Sequence, residues 1–124
     1  MTHHRTRLIA SLCLLANCHA AAAMPVRADG DTRLTLRGTV TGPISSGSKA
    51  EGTLFRAHYL RLRRPLRLDD GATCGGQTMA RLALNQEGMA RYRGRTVTVE
   101  ARVFCQESRT GTYHLADIEI RGAP

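Results

Sequence analysis

Hydrophobic and polar positions alternate along most of the chain, in separate runs divided by glycine- and serine-rich stretches. Leu34, Leu36 and Val40 alternate with Thr35, Arg37 and Thr39, the period-two signature of a half-buried strand. Gly38 inside that run predicts a bulge or a tight bend. A second run extends from Phe55 to Leu68, with Tyr59, Arg61 and Arg63 on one face and Leu60 and Leu62 on the other. Pro65 interrupts its ladder, and Leu66 and Leu68 resume the alternation. A third strand is expected over Met79–Leu84, with Ala80, Leu82 and Leu84 sharing a face. Thr96–Phe104 is the clearest strand: Val97, Val99, Ala101 and Val103 inward, Thr98, Glu100 and Arg102 outward. A last strand, Tyr113–Ile120, sets Ala116, Ile118 and Ile120 inward and Asp117, Glu119 and Arg121 outward.

The segments between these runs carry turn chemistry. Met24–Thr32, with Pro25 and Gly30, reads as a flexible lead-in. Gly42–Gly52, with Pro43 and several serines, reads as a mobile loop, and Asp69-Asp70-Gly71 is a strong turn signal. Asn85–Arg93 changes character. Asn85 suits an N-cap, Glu87 the first turn and Gly94 the position past the end, so a short helix is expected. Met89 and Tyr92 would share its apolar face, while Gly88 weakens it. Three strands, a helix and two strands is the order of the OB-fold. The expected class is therefore mainly β: a small five-stranded antiparallel OB-like barrel over residues 33–124, with one short helix between strands three and four. An SH3-like barrel is the alternative.

The first 23 residues follow a different pattern. His3, His4, Arg5 and Arg7 make a basic start, Leu8–Ala16 a short apolar run, and Ala20–Ala23 a small-residue site. That is the layout of a cleaved signal peptide, too short in its apolar part to span a bilayer as a helix. Cleavage is expected after Ala23 or Ala22. Leu15-Ala16-Asn17-Cys18 offers a lipobox alternative, in which Asn17 stands where a small residue is usual. The expected location is periplasmic or secreted, and the mature chain holds no second apolar segment. About 100 residues remain, enough for one domain with a modest core.

Charge and cysteines narrow the picture. The chain has 18 Lys and Arg against 10 Asp and Glu, a net charge of +8, and loss of Arg5 and Arg7 leaves +6. A surplus of that size favours anionic partners or serves as a solvated basic surface. Cys74 and Cys105 are the cysteines left after cleavage, and in an oxidising compartment they are most simply one disulfide. No Cys-x-x-Cys spacing points to zinc, and no cofactor is expected.

Three short motifs resemble a known family. Gly94-Arg95-Thr96-Val97-Thr98-Val99 looks like a G-(K/R)-x-V-x-V strand start, Thr110-Gly111-Thr112-Tyr113-His114 like a T-G-x-(H/Y)-H turn, and Leu60-Arg61-Leu62-Arg63-Arg64-Pro65 like an L-x-L-x-x-P strand. With the signal peptide, the pattern resembles small exported bacterial proteins known as domain of unknown function 4431. The resemblance covers about Leu34 to Gly122 and implies a β-rich periplasmic module without a known activity. Tyr113 stands where a second His is common, which weakens a paired-His metal site.

Candidate site residues follow from these patterns. His114 sits beside a glycine turn and next to Tyr113, where imidazole and phenol can bind a ligand or shift a proton. Alternatively, His114 orders the turn through a backbone carbonyl. His58, His114 and a carboxylate such as Asp117 would make a metal site only if the fold brings them together. Tyr59, Arg61 and Arg63 share the face where OB-folds take ligands, within a strand crowded by Arg56, Arg64 and Arg67. Aromatics make up only 4% of the chain and Trp is absent, so stacking platforms are scarce. Asp69-Asp70 reads as a turn pair, and no G-x-S-x-G motif is present. The expected function is a non-enzymatic binding or adaptor module whose partner is an anionic polymer or a protein. A structural or inhibitor protein acting through its sheet edge is the alternative, and a metal protein or enzyme using His58 and His114 a distant third.

Overall fold

The computed structural model describes residues 24–121, so the expected signal peptide lies outside the described residues. Six strands form in chain order: β1 Val26–Arg27, β2 Arg33–Ser46, β3 Phe55–Asp69, β4 Gln77–Leu84, β5 Thr96–Gln106 and β6 Thr112–Arg121. Neighbours run β3-β2-β5-β6-β4, and β4 returns to β3, so the sheet closes into a ring. The closing contact is the short parallel pairing of Ala83–Leu84 with His114–Leu115. The other ring pairings are antiparallel. With β1 set aside, this is the expected five-stranded OB-like barrel. Strand closure satisfies the backbone groups that an open sheet leaves bare.

The barrel interior is the set of residues that the alternation selects. Val40, Leu60, Leu82, Val97, Val99, Ala101, Val103 and Leu115 are fully or almost fully buried and form one cluster. Each such aliphatic side chain contributes about 1.5–3 kcal/mol by leaving water.

Four local expectations change on folding. The lead-in 24–32 is docked: Val26 and Arg27 pair in parallel with Leu68 and Asp69, and Ala28 is buried in the core. Its apolar residues, short as the run is, find an open edge of β3. The loop expected over Gly42–Gly52 shortens, because β2 continues through a bulge between Thr41 and Ile44 to Ser46. Gly38 lies in unbroken register, opposite Leu62 on one side and Val97 on the other. Glycine is needed there because a Cβ would sit 2.3 Å from the Arg61 carbonyl oxygen. The expected helix reduces to one 3-10 turn, Met89–Tyr92, since Gly88 at φ 81° takes a left-handed conformation that ends any helix reaching back to Asn85. Met89 and Tyr92 still pack against the core, as expected of the barrel plug.

Two further strands, β4 and β6, shift phase. Between Arg61 and Leu66, four residues of β3 face one of β4, so Met79 packs toward the core and Ala80 is exposed. In β6, Asp117 at φ 52° creates a bulge opposite Ala101, so the inward set is Tyr113, Leu115, Ile118 and Ile120. Ala116 faces the other way and is half-buried. The bulge's backbone groups are satisfied by side chains: the Gln86 amide donates to the Ile118 carbonyl at 3.0 Å and accepts from its N–H at 2.8 Å. Arg33 donates to the Asp117 carbonyl at 3.0 Å.

Candidate anion-binding groove

β4 and β6 touch only over their two-residue closure, and below it they part. A groove of about 290 Å³ opens along the divide. Tyr59, Arg81 and Ala83 line it from the outer face of β3 and β4, because Tyr59 pairs with Ala83 and Arg61 with Arg81. Ser46 ends β2 and Gly47 starts the β2–β3 loop. Arg109 and Thr110 come from the β5–β6 turn, and Thr112 starts β6. These are the β3–β4 face and the two loops where an OB barrel binds its ligands.

No acidic side chain lines the groove, and two guanidinium groups do. The Arg81 guanidinium lies 4.9 Å from the centre of the Tyr59 ring, which leaves that face unavailable to a ligand. Arg109 donates to the Leu54 carbonyl at 3.0 Å, tying the two loops together over the groove. Ser46 Oγ is buried in the lining and has no hydrogen-bond partner among the described residues.

The buried Tyr113, which lines the groove's inner wall, and the partly exposed Asp70 hold the framework beside it. The Tyr113 hydroxyl donates to the Gly75 carbonyl at 2.5 Å and accepts from the Asp70 N–H at 2.7 Å. Burial, with the Asp70 charge adding, pushes that hydroxyl above its ordinary pKa. Partial burial pushes the Asp70 carboxyl up, but the N–H groups of Ala72, Gly75 and Cys74 outweigh it and leave the group below the usual carboxylate value. Asp69-Asp70 is thus a turn pair, as expected, with both carboxylates capping backbone N–H groups. The Cys74–Cys105 disulfide forms across a Cα separation of 5.8 Å and pins this loop to the end of β5. Gln77 donates to the Cys74 and Gly111 carbonyls, joining the same loop to the β5–β6 turn.

His114 lies outside the groove. It is 1% exposed, on the outer face of β6, beneath Phe55 and Phe104 at ring separations of 4.8 and 5.8 Å. Its Nε2 is 2.7 Å from Thr110 Oγ1. That oxygen already accepts from the Thr112 N–H and hydroxyl, so its own hydrogen points to Nε2. The ring proton then sits on Nδ1, which has no partner among the described residues. Burial lowers the imidazole pKa to about 4. The carbonyl-bonding role expected for His114 is replaced by this threonine contact, made because Tyr113 takes the inward place.

The remaining candidates separate. Arg61 and Arg63 are exposed and line a second cleft of about 420 Å³ with Arg37, Thr39 and Thr96. His58 lines another cleft beside Asn85–Ala90, and Asp117 is held by Arg102 at 2.9 Å. His58, His114 and Asp117 therefore do not converge. Among the described residues, the one group of three potential metal-ligand atoms within 4.8 Å is Asp70, Cys74 and Cys105, whose sulfurs are joined to each other.

Arg81 and Arg109 escape notice in the sequence. Arg81 sits between apolar residues of a short strand, and Arg109 in an ordinary turn. Only the register that sets Arg81 opposite Arg61, and the arching of the turn toward Leu54, bring them to one place. Among the described residues no helix is long and apolar enough to cross a membrane. Compared with protein-family models, with curated proteins and with solved structures, the chain has no match.

Proposed function

We propose that this protein is an exported, non-enzymatic binding module that takes an anionic partner in the groove between β4 and β6. The observation that carries the reading is the groove's composition: Arg81 and Arg109 face it with hydroxyl side chains and no carboxylate. Guanidinium groups stay charged at any physiological pH and present forked donors that match phosphate, sulfate and carboxylate. They bind charge and do not exchange protons near neutrality, which suits recognition better than acid–base catalysis. Export is supported by the pattern of residues 1–23 and by a disulfide, a bond that persists in oxidising compartments. The resemblance to small exported β-rich proteins belongs to the same proposal. Contact through a sheet edge has less support, since the edges that β4 and β6 leave unpaired beyond their two-residue closure are the walls of the groove itself.

The test is retention on an immobilised polyanion. Wild-type protein should elute late from heparin, at a salt concentration that drops when Arg81 and Arg109 are both replaced by Ser. Equal elution of the wild-type and double-variant proteins would remove the groove from the reading.

A further inference from the structure

We infer that the groove is one end of a longer site, and that its ligand is an acidic polysaccharide lying across β3; the inference rests on the binding reading above. The registers set Arg81 opposite Arg61, Arg61 opposite Thr39, and Thr39 opposite Thr96. These four side chains make one row over the outer faces of β4, β3, β2 and β5. Three strand spacings give the row a length of about 14 Å. At its far end Arg37, Arg61 and Arg63 line the second cleft with Thr39 and Thr96. Arg37, Arg61 and Arg63 form no ion pair among the described residues.

Like charges directly opposite on neighbouring strands destabilise a sheet. Here Arg61 and Arg81 stand opposite each other with no carboxylate set between them. The chain has carboxylates to spare for arginines elsewhere, as Glu100, Asp117 and Glu119 demonstrate. An extended anion bound along the row relieves the repulsion. A single small anion would reach one cleft and leave the other guanidinium groups unmatched.

Side-chain chemistry along the row selects the polymer. A nucleic-acid strand would gain most by stacking its bases on aromatic faces. Of the two tyrosines that line the groove, Tyr59 has its ring covered by Arg81, and Tyr113 is fully buried with its hydroxyl held by Gly75 and Asp70. Between the guanidinium groups lie hydroxyls: Ser46 in the groove, beside Thr110 and Thr112 whose hydrogens go to His114 and to Thr110, and Thr39 and Thr96 in the cleft. Thr39 and Thr96 are 3.3 Å apart, so one hydroxyl donates to the other and the second keeps its hydrogen for a ligand. Ser46 Oγ has no partner at all among the described residues. Alternating guanidinium and hydroxyl groups complement a chain that alternates anionic groups and hydroxyls, which is the chemistry of a sulfated or uronic polysaccharide.

The experiment is calorimetric titration of the full chain with heparin-derived oligosaccharides of increasing length, with polyphosphate and with oligothymidylate. Affinity for the oligosaccharides should rise with length until the chain covers both clefts. The Arg37→Ser/Arg63→Ser variant should bind the long oligosaccharide about tenfold more weakly, by losing one of two linked subsites, and its affinity should stop rising with chain length. Its slope of log affinity against log salt should fall by about two. Arg37→Lys/Arg63→Lys should restore the salt slope, and unchanged thermal melting should show that both variants fold. Long-chain binding that ignores Arg37→Ser/Arg63→Ser overturns the extended site and leaves the groove reading in place. Binding that ignores Arg81→Ser/Arg109→Ser overturns the groove reading itself. Tighter binding of polyphosphate or of oligothymidylate than of the oligosaccharides overturns the choice of polymer.

Discussion

Arginine does opposite work on two sides of this barrel. On the wall where β2, β5 and β6 meet, Arg33 pairs with Glu100 at 3.2 Å, Arg121 with Glu100 at 2.7 Å, and Arg102 with Asp117 at 2.9 Å. Arg33 also donates to the carbonyls of Glu100 and Asp117, and Arg102 to that of Gly30. These contacts collect around the Asp117 bulge, where the ladder leaves backbone oxygens without strand partners. On the β3 side, Arg61, Arg63 and Arg37 form no ion pair among the described residues, and Arg81 meets only the Tyr59 ring. Where the backbone needs donors, arginine is consumed by the fold. On the β3 side it is left facing outward, without a carboxylate to meet it.

The comparison breaks most sharply if the groove side is not held together by its own covalent and buried polar framework. Cys105→Ser removes the link between the 70–76 loop and β5. Loss of a disulfide from a small domain costs about 2–5 kcal/mol, a large part of what such a domain has. Urea denaturation should show that loss, and hydrogen exchange should show the 70–76 and 107–112 segments opening first. Uniform protection in the variant would mean that the groove side does not depend on the bridge.

His114 supplies the second measure. Its folded-state pKa is about 4, below the ordinary 6.5, because burial disfavours the charged ring. Between these values the unfolded chain binds the proton and the native chain does not, so stability falls as pH drops from about 6.5 toward 4. Below 4 both states are protonated and the loss stops growing. The full effect is about 3 kcal/mol. His114→Phe should flatten stability over that window, measured as the urea midpoint against pH. An unchanged slope would place the acid sensitivity elsewhere.

What was legible in the chain follows the same division. Val97, Val99, Ala101 and Val103 could be placed because β5 runs without irregularity, so period two is never interrupted. β6 begins with the same kind of pattern, but its alternation changes phase at Asp117. A bulge adds one residue without changing composition, so the pattern alone places Ala116 inward; Tyr113, expected at a ligand face, turns inward and still lines the groove. The helix failed for a local reason, the left-handed Gly88, whose conformation a cap-and-charge pattern does not reveal. His114 could be singled out, but not its burial, since Phe55 and Phe104 arrive from strands far away in sequence. Tyr59, Arg61 and Arg63 were legible as one face. That this face continues through Arg81 to Arg109 depends on register and on a loop crossing, and neither is written in any one segment.

Gly38 tests whether the outward row requires its close backbone approach. A methyl group at Gly38 would meet the Arg61 carbonyl oxygen at 2.3 Å, and backbone cannot move aside as a flexible side chain can. Gly38→Ala should cost about 1–3 kcal/mol by forcing β2 and β3 apart. It should also weaken polyanion retention, because Thr39 and Arg61 would lose their register. A stable variant with normal retention would show that the row tolerates a looser sheet.

The smallest effect discriminates the two sides most directly, because it has opposite signs. Arg121→Ser removes a partner from Glu100, which is only partly exposed, and should cost up to about 1 kcal/mol. Arg61→Ser removes one member of a like-charged cross-strand pair and no carboxylate contact. It should leave stability unchanged or raise it by about 0.2–1 kcal/mol. Salt separates the cases further, since screening weakens the paired wall and relieves the unpaired face. Raising ionic strength should therefore shrink the cost of Arg121→Ser and shrink the gain of Arg61→Ser. Thermal melts of both variants at low and high salt carry the comparison. If Arg61→Ser destabilises the chain as Arg121→Ser does, Arg61 has a structural partner, and the surface that the groove reading treats as free belongs to the fold.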